Sequence, residues 1–222
     1  MMSQEQSPRP DRAALLSRAV YCYGRAACND DACRCLEKLG DFSGAAPLHE
    51  RAERWDRAAW CFEQAGQWVA AARCYRQAGE PLEAARCLVN AGELLEAGWL
   101  LAHAAHRPDR ARAVLAQVNP RTTEEQLALA LAQARCTVGS ERHTADNAVR
   151  RVADRLAQTA PGWERDRILD WALALTEVPD RPDLTAQLYA AAVDAAIPQA
   201  AERWEKWALE RLGNASGIDT GQ

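Results

Sequence analysis

Gln67-Trp68-Val69-Ala70-Ala71-Ala72-Arg73-Cys74-Tyr75-Arg76-Gln77-Ala78-Gly79 is one copy of a pattern that returns every thirteen residues from about Leu15 to Ala105. Its cysteine belongs to a comb: Cys22, Cys35, Cys61, Cys74 and Cys87 share one lattice, and Leu48 and Leu100 occupy its two other points. One position later stand Tyr23, Leu36, His49, Phe62, Tyr75, Leu88 and Leu101; three further on stand Ala26, Leu39, Ala52, Ala65, Ala78, Ala91 and Ala104. The next position is Gly40, Gly66, Gly79 or Gly92 in four units, and Ala27, Glu53 or Ala105 in the others. A fixed internal period is the mark of a repeat protein.

Within one copy, Trp68, Ala71, Ala72, Tyr75 and Ala78 follow the spacing of one apolar helix face. Thirteen residues hold roughly ten of helix and three of turn, and the closing glycine supplies the left-handed conformation that ends a helix. Helices this short are unstable alone in water, so stability has to come from stacking, with neighbours antiparallel because the turns are brief. Ala-Ala pairs at 45/46, 58/59, 71/72 and 84/85 allow close approach of helix axes, while Phe62, Tyr75, Leu88 and Trp68 fill the space between layers. The pattern predicts an all-α, right-handed-type α-solenoid of short antiparallel helices, followed by a C-terminal region of longer helices.

The run Ala-Ala-x-Cys-Tyr/Phe/Leu-x-x-Ala-Gly resembles tetratricopeptide-like α-solenoids, especially the short-helix kind found in trafficking coats and some multi-component bacterial systems. Two units make a hairpin of twenty-six residues, against thirty-four for a tetratricopeptide repeat. The resemblance covers about ninety of the 222 residues and implies an architecture, with an adaptor role as its usual use.

Beyond Ala105 the beat is lost. Pro108 to Val118 reads as a slipped eighth helix, and Asn119-Pro120 marks a boundary. Thr122-x-x-Glu125 is a capping box opening a helix along Leu127, Leu131, Ala134 and Val138, with Gly139 as its stop. Further stripes run through Ala145, Val149, Val152 and Leu156, and through Ile168, Trp171, Ala172 and Leu175 behind Pro161. Pro198 separates the Leu184, Leu188, Ala191, Ala195 stripe from Ala201, Trp204, Ala208 and Leu212. The expected division is a disordered tail at 1–12, the solenoid at 13–118, a helical cap at 119–212 and a second tail at 213–222.

The chain is 48% hydrophobic with no apolar run long enough to span a membrane, and Met1 to Arg12 lacks the hydrophobic core of a signal peptide. A cytoplasmic setting is expected, with the eight cysteines reduced and used as small buried hydrophobes. Arginine outnumbers lysine twenty-five to two, a coding bias that suggests a GC-rich bacterial genome. A net charge of −4 without a basic half argues against nucleic acid as partner.

Two repeat phases carry candidate binding residues. Arg25, Lys38, Arg51, Gln64, Gln77, Asn90 and His103 form a polar stripe, read first as a solvated ridge and second as a docking strip for an acidic peptide. Tyr21, Arg34, Pro47, Trp60, Arg73, Arg86 and Trp99 lie about 160° from the apolar arc, and Trp and Arg are favoured anchors at interfaces. Arg34, Trp60, Arg73, Arg86 and Trp99 are the candidate partner-binding residues, with packing against the next turn as the competing role.

Enzyme-like constellations fail on spacing. Ser140-x-x-His143-x-x-Asp146 sits at a helix start, where capping and solvent exposure are expected of it. Cys28, Cys33 and Cys35, with Cys22 nearby, invite a zinc site, but a helix puts Cys33 and Cys35 about 200° apart. His103-x-x-His106 lacks a completing ligand, and Cys136 with His143 makes a weak nucleophile pair. No glycine-rich phosphate loop is present, and Gly44 alone among the glycines from 40 to 92 is not unit punctuation. The expectation is a non-catalytic scaffold or adaptor with no cofactor and no metal, binding another protein or peptide in a bacterial multi-component system, with an AAA-type ATPase as partner class. The alternative is a thiol- or zinc-responsive sensor using the N-terminal cysteines.

Overall fold

The computed structural model describes residues 11–26, 28–139, 141–177 and 180–212. The expected tails fall almost wholly outside these, except that Asp11 caps the first helix and Arg12 opens it. The described residues contain thirteen α-helices, a short 3-10 turn at Leu156–Gln158 and no strand. They form two compact units that divide between Glu93 and Leu94. That division follows packing, whereas the boundary expected at 118/119 follows the Asn119-Pro120 step.

The first unit holds α1 (Arg12–Arg25), α2 (Asn29–Leu39), α3 (Phe42–Arg51), α4 (Trp55–Gln64), α5 (Trp68–Gln77) and α6 (Pro81–Ala91), each packed on the next. One hydrogen-bonded turn recurs at every step of thirteen. The carbonyls of Leu36, His49, Phe62, Tyr75 and Leu88 accept from the N–H groups of Asp41, Arg54, Gln67, Glu80 and Glu93, at 2.8 to 3.0 Å. This closes each helix with a Schellman motif. The residue before each donor lies in the left-handed region: Gly40, Gly66, Gly79 and Gly92 at φ +72 to +83°, and Glu53 at +54°. The expected breaks are therefore the observed ones, and Glu53 adopts the same conformation without glycine's freedom.

The Ala-Ala pairs of α3 to α6 are all at most 1% exposed, so the helices approach at alanine contact, and Cys61, Cys74 and Cys87 are fully buried. The comb thins toward the start of the array. Cys22 is exposed and α1 buries no residue, because α1 packs on α2 alone among the helices of this unit. Gly44 is explained by the cap: its N–H donates to Asp41 Oδ1 at 2.9 Å, and a Cβ there would meet that carboxylate at 2.6 Å.

The second unit holds α7 (Leu94–His103), α8 (Pro108–Leu115), α9 (Thr123–Thr137), α10 (Arg142–Arg155), α11 (Trp163–Glu177), α12 (Pro182–Asp194) and α13 (Ala200–Leu212). The slip after Ala105 is one inserted residue. The Leu101 carbonyl accepts from Arg107, one position later than in the earlier turns, and His106 takes the left-handed conformation at φ +51°. The α9 capping box forms as expected, with Glu125 N–H donating to Thr122 Oγ1 at 3.1 Å. Helices α9 to α13 are thirteen to fifteen residues long. They pack α9 on α10 and α11, α10 on α11 and α12, and α12 on α13, around Leu131, Val152, Leu156, Ile168, Leu169 and Leu188. Where the earlier units have the second alanine of the pair, α7 has Gly98, and a Cβ there would collide with the buried Leu115 of α8.

Two stability changes are expected. Glu53→Gly should raise the unfolding free energy by about 0.5–1 kcal/mol, because a left-handed non-glycine residue costs about 1–2 kcal/mol, partly offset by the entropy of a freer unfolded chain. Gly98→Ala should lower it by about 1–3 kcal/mol through overpacking against Leu115. Urea denaturation of the two variants checks both signs, and a destabilised Glu53→Gly or a neutral Gly98→Ala would contradict these packing and backbone assignments.

Candidate functional site

In the first unit a carboxylate stands on each of three successive helices: Glu37 on α2, Glu50 on α3 and Glu63 on α4, at the step of thirteen. Each reaches the helix after next. Glu37 accepts from Arg57 of α4 at 2.8 and 3.0 Å, Glu50 from Arg73 of α5 at 2.7 Å, and Glu63 from Arg86 of α6 at 2.8 and 2.9 Å. Arg86 also pairs with Glu83 on its own helix at 2.8 Å. Arg73 and Arg86 are thus rungs of an ion-pair ladder that ties alternate helices together. Exposed pairs of this kind are each worth about 0.2–1 kcal/mol, more where bidentate.

The intervening helix contributes a second donor to two of the three carboxylates. His49 Nε2 lies 2.8 Å from Glu37 Oε1, and the Tyr75 hydroxyl donates to Glu63 Oε2 at 3.1 Å. The comb cysteine then sits against the same carboxylate, Cys61 Sγ being 3.8 Å from Glu37 Oε1. Glu37, His49 and Cys61 bring an oxygen, a nitrogen and a sulfur within 4.8 Å of one another. His49 is 4% exposed, and its Nδ1 is buried without a hydrogen-bond partner.

Without a cation beside them, the thiols at this spot are held in their protonated form. Burial, with the Glu37 charge beside it, pushes the Cys61 thiol up to about 12, and burial raises Cys33 as well. A protonated, enclosed thiol is a poor nucleophile. Burial also works to raise Glu37, but the His49 hydrogen bond and the Arg57 charge outweigh it and leave the carboxyl below its ordinary value. At Glu63 the Arg86 hydrogen bond leads, against burial and with help from Tyr75, to the same lowered state.

The five expected partner-binding residues differ in exposure and in what they contact. Among the described residues no hydrogen bond, ion pair or ring contact joins any two of them. Arg34 is exposed and paired with Asp31 one turn earlier. Arg73 and Arg86 belong to the ladder. Trp60 is 37% exposed, with the Phe42 ring edge-on to it at 5.2 Å and the Arg57 guanidinium 5.2 Å over its face. Trp99 belongs to the second unit and is 8% exposed. It stacks on Trp171 at 4.6 Å and on His103 at 5.1 Å, in a column that Arg167 continues between Trp171 and Trp163. As an anchor for a partner Trp99 is out of reach, and packing is its role. On the polar stripe, Arg25, Lys38, Arg51, Gln64, Gln77 and Asn90 are exposed, whereas His103 is half-buried, with burial and the neighbouring Arg135 charge lowering its pKa.

Ser140 lies outside the described residues. His143 is exposed as expected, but Asp146 neither caps nor faces solvent: it is 8% exposed and ion-paired with Arg181. A hollow beside that pair is lined by Thr176, Asp180, Arg181, Thr185, Trp207 and Arg211. Both of its arginines are paired, Arg181 with Asp146 and Asp183, and Arg211 with Asp180. Cys136 donates to the Ala132 carbonyl at 3.2 Å. Of the N-terminal cysteines, Cys28 is exposed at the cap of α2, Cys33 is buried and Cys35 half-buried.

No family model, no curated protein and no solved structure matches the chain.

The ladder makes stability depend on pH with a defined sign. A carboxyl held below its unfolded value of about 4.3 contributes stability that is present above that value and lost as pH falls through the folded one. Glu63→Gln should therefore cost about 1–2 kcal/mol at pH 7. The gap to the parent chain should close as the pH drops below about 4. Denaturant titrations at a series of pH values measure it, and a gap that stays constant down to about pH 3 would show that Glu63 is not the titrating group.

Proposed function

We propose that the protein is a non-catalytic scaffold that presents a preorganised helical surface to another protein. The observation that carries this reading is Trp60. Its ring stays at the surface of α4 while the alanine and cysteine faces of the same helix are fully buried, and Phe42 and Arg57 hold it in place. A rigid, half-exposed tryptophan beside a guanidinium is the composition favoured at binding hot spots, and a surface ordered before binding loses little entropy on docking. Arg34, exposed on α2 and paired with Asp31 of its own helix, is the second residue offered to a partner. Arg73 and Arg86 contribute indirectly, by fixing the spacing of the helices.

The reading is also supported by the hollow in the second unit, whose arginines Arg181 and Arg211 are held by Asp146, Asp183 and Asp180. No helix among the described residues is long and apolar enough to cross a membrane. A place in a multi-component system, with an AAA-type ATPase as partner class, rests on the resemblance of the repeat, and the cytoplasmic and bacterial setting on the polar stretch Met1 to Arg12 and the excess of arginine over lysine.

The test is quantitative co-purification from the native host, comparing the parent chain with Trp60→Ala and Arg34→Ala. A partner enriched with the parent and reduced at least about tenfold by Trp60→Ala, a loss of about 1.4 kcal/mol or more, supports the surface. Equal recovery with all three chains would overturn it, as would a measurable turnover in the absence of any partner. Circular dichroism of the variants separates loss of binding from loss of fold.

A further inference from the structure

The repeat supplies its own control for the cluster around Glu37. Twenty-six residues on, the same positions are Glu63, Tyr75 and Cys87, an arrangement with a phenol where the first copy has an imidazole. Among Tyr23, Leu36, His49, Phe62, Tyr75, Leu88 and Leu101, only His49 offers a ring nitrogen. A second departure lies close by. At the second place of the alanine pair the chain has Ala46, Ala59, Ala72 and Ala85, but Cys33 in α2. Cys33 is 1% exposed and lies on α2 one helical turn before Glu37. Two substitutions against the repeat, both to metal-ligating side chains and both buried, thus fall around one carboxylate and one comb cysteine.

We propose that Glu37, His49 and Cys61, with Cys33 as the fourth ligand, form a closed zinc site inside the first unit. Nitrogen, oxygen and sulfur donors at about 2.0–2.3 Å from a tetrahedral zinc lie about 3.3–3.8 Å apart. The Glu37–His49 contact of 2.8 Å and the 4.8 Å span of the three ligand atoms bracket that range. Three of the ligand atoms, on α2, α3 and α4, already lie together, and Cys33, one helical turn before Glu37 on α2, stands outside that cluster and has to turn toward it. Arg57 does not block it, because it can hold Glu37 Oε2, at 2.8 Å, and leave Oε1 to the metal. Charge also balances. One carboxylate and two thiolates against a dication leave one negative charge, which Arg57 on Glu37 meets. Binding forms two Zn–S bonds, one Zn–N and one Zn–O bond, and the two thiol protons leave to solvent without any redox change. The site is independent of the partner-binding reading, which requires no metal.

The experiment uses the full chain purified without chelator or affinity-tag histidines. Its metal content is measured by mass spectrometry, and zinc and cobalt(II) are then titrated into chelator-treated protein. The expected result is one zinc per chain and, with cobalt, the thiolate charge-transfer band and intense visible bands of a tetrahedral site. The informative variants are those the repeat itself licenses. His49→Tyr copies the Tyr75 arrangement, so the fold and the bond to the carboxylate persist while the ligand is lost; affinity should fall at least about a hundredfold. Cys33→Ala restores the alanine of the other units and should weaken binding about tenfold or more. Cys22→Ser/Cys28→Ser removes the exposed thiols and should leave affinity unchanged. Absence of stoichiometric metal in the parent chain, undiminished binding by a folded His49→Tyr, or loss of binding in the double serine variant would each overturn the site. Undiminished binding by Cys33→Ala would overturn the assignment of the fourth ligand.

Discussion

Ten-residue helices cannot hold themselves, and everything in the first unit follows from how closely they are allowed to approach. The buried Ala-Ala pairs set that distance, because two consecutive methyl side chains leave neighbouring axes in contact along a full turn. At that separation a glutamate on one helix can reach across its neighbour to an arginine on the next but one, which a layer of leucines would prevent. The ladder of Glu37, Glu50 and Glu63 is thus a product of the alanine spacing, and its arginines extend each helix's contacts beyond the adjacent pair. Scaffold rigidity rests on both: burial of the apolar faces supplies most of the stabilisation, and the ion pairs mark the register.

The fold was legible because the information is local and repeated. Glycine at Gly40, Gly66, Gly79 and Gly92 states the turn, and the face of Ala71, Ala72, Cys74 and Tyr75 states the helix. The site was less legible for a reason of distance. Reading each phase separately put Arg73 and Arg86 on an outward stripe, and only the joint pattern of Glu50 with Arg73 and Glu63 with Arg86, twenty-three residues apart, reveals the rungs. That signal was in the sequence. For Trp99 there was none, since its partner Trp171 lies outside the repeat, on a helix with no periodic relation to α7. Asp146 is a similar case, with its burial decided by Arg181 thirty-five residues away.

Positions that break a repeat are informative in proportion to what the unbroken copies do. Glu53 keeps the left-handed turn of its glycine counterparts at a cost in strain, so the hydrogen bond from Arg54 to His49 dominates the local preference. Gly98 breaks the alanine pair because Leu115 occupies the room a methyl group would need. Each of these has a cause in packing. His49 has none of that sort: a tyrosine serves the same carboxylate in Glu63's copy and leaves no buried nitrogen orphaned, whereas the imidazole leaves Nδ1 without a partner.

The cysteine comb itself has a chemical explanation in the ladder. Twenty-four residues before Cys61, Cys74 and Cys87 stand Glu37, Glu50 and Glu63; twenty-four before Leu48 stands Gly24, and before Leu100 stands Arg76. In the later part of the array cysteine accompanies the carboxylate, and leucine takes the place where no carboxylate comes. A leucine against a half-buried carboxylate would desolvate it with nothing in return. A serine would satisfy it but leave a strongly polar group among alanines. A thiol is small and apolar enough for the core, and it offers a weak S–H donor, as Cys61 does to Glu37. Burial in turn keeps the thiols protonated while no cation is present, and at Cys61 the Glu37 charge adds to it, since a thiolate beside that carboxylate would place two like charges in one enclosed space.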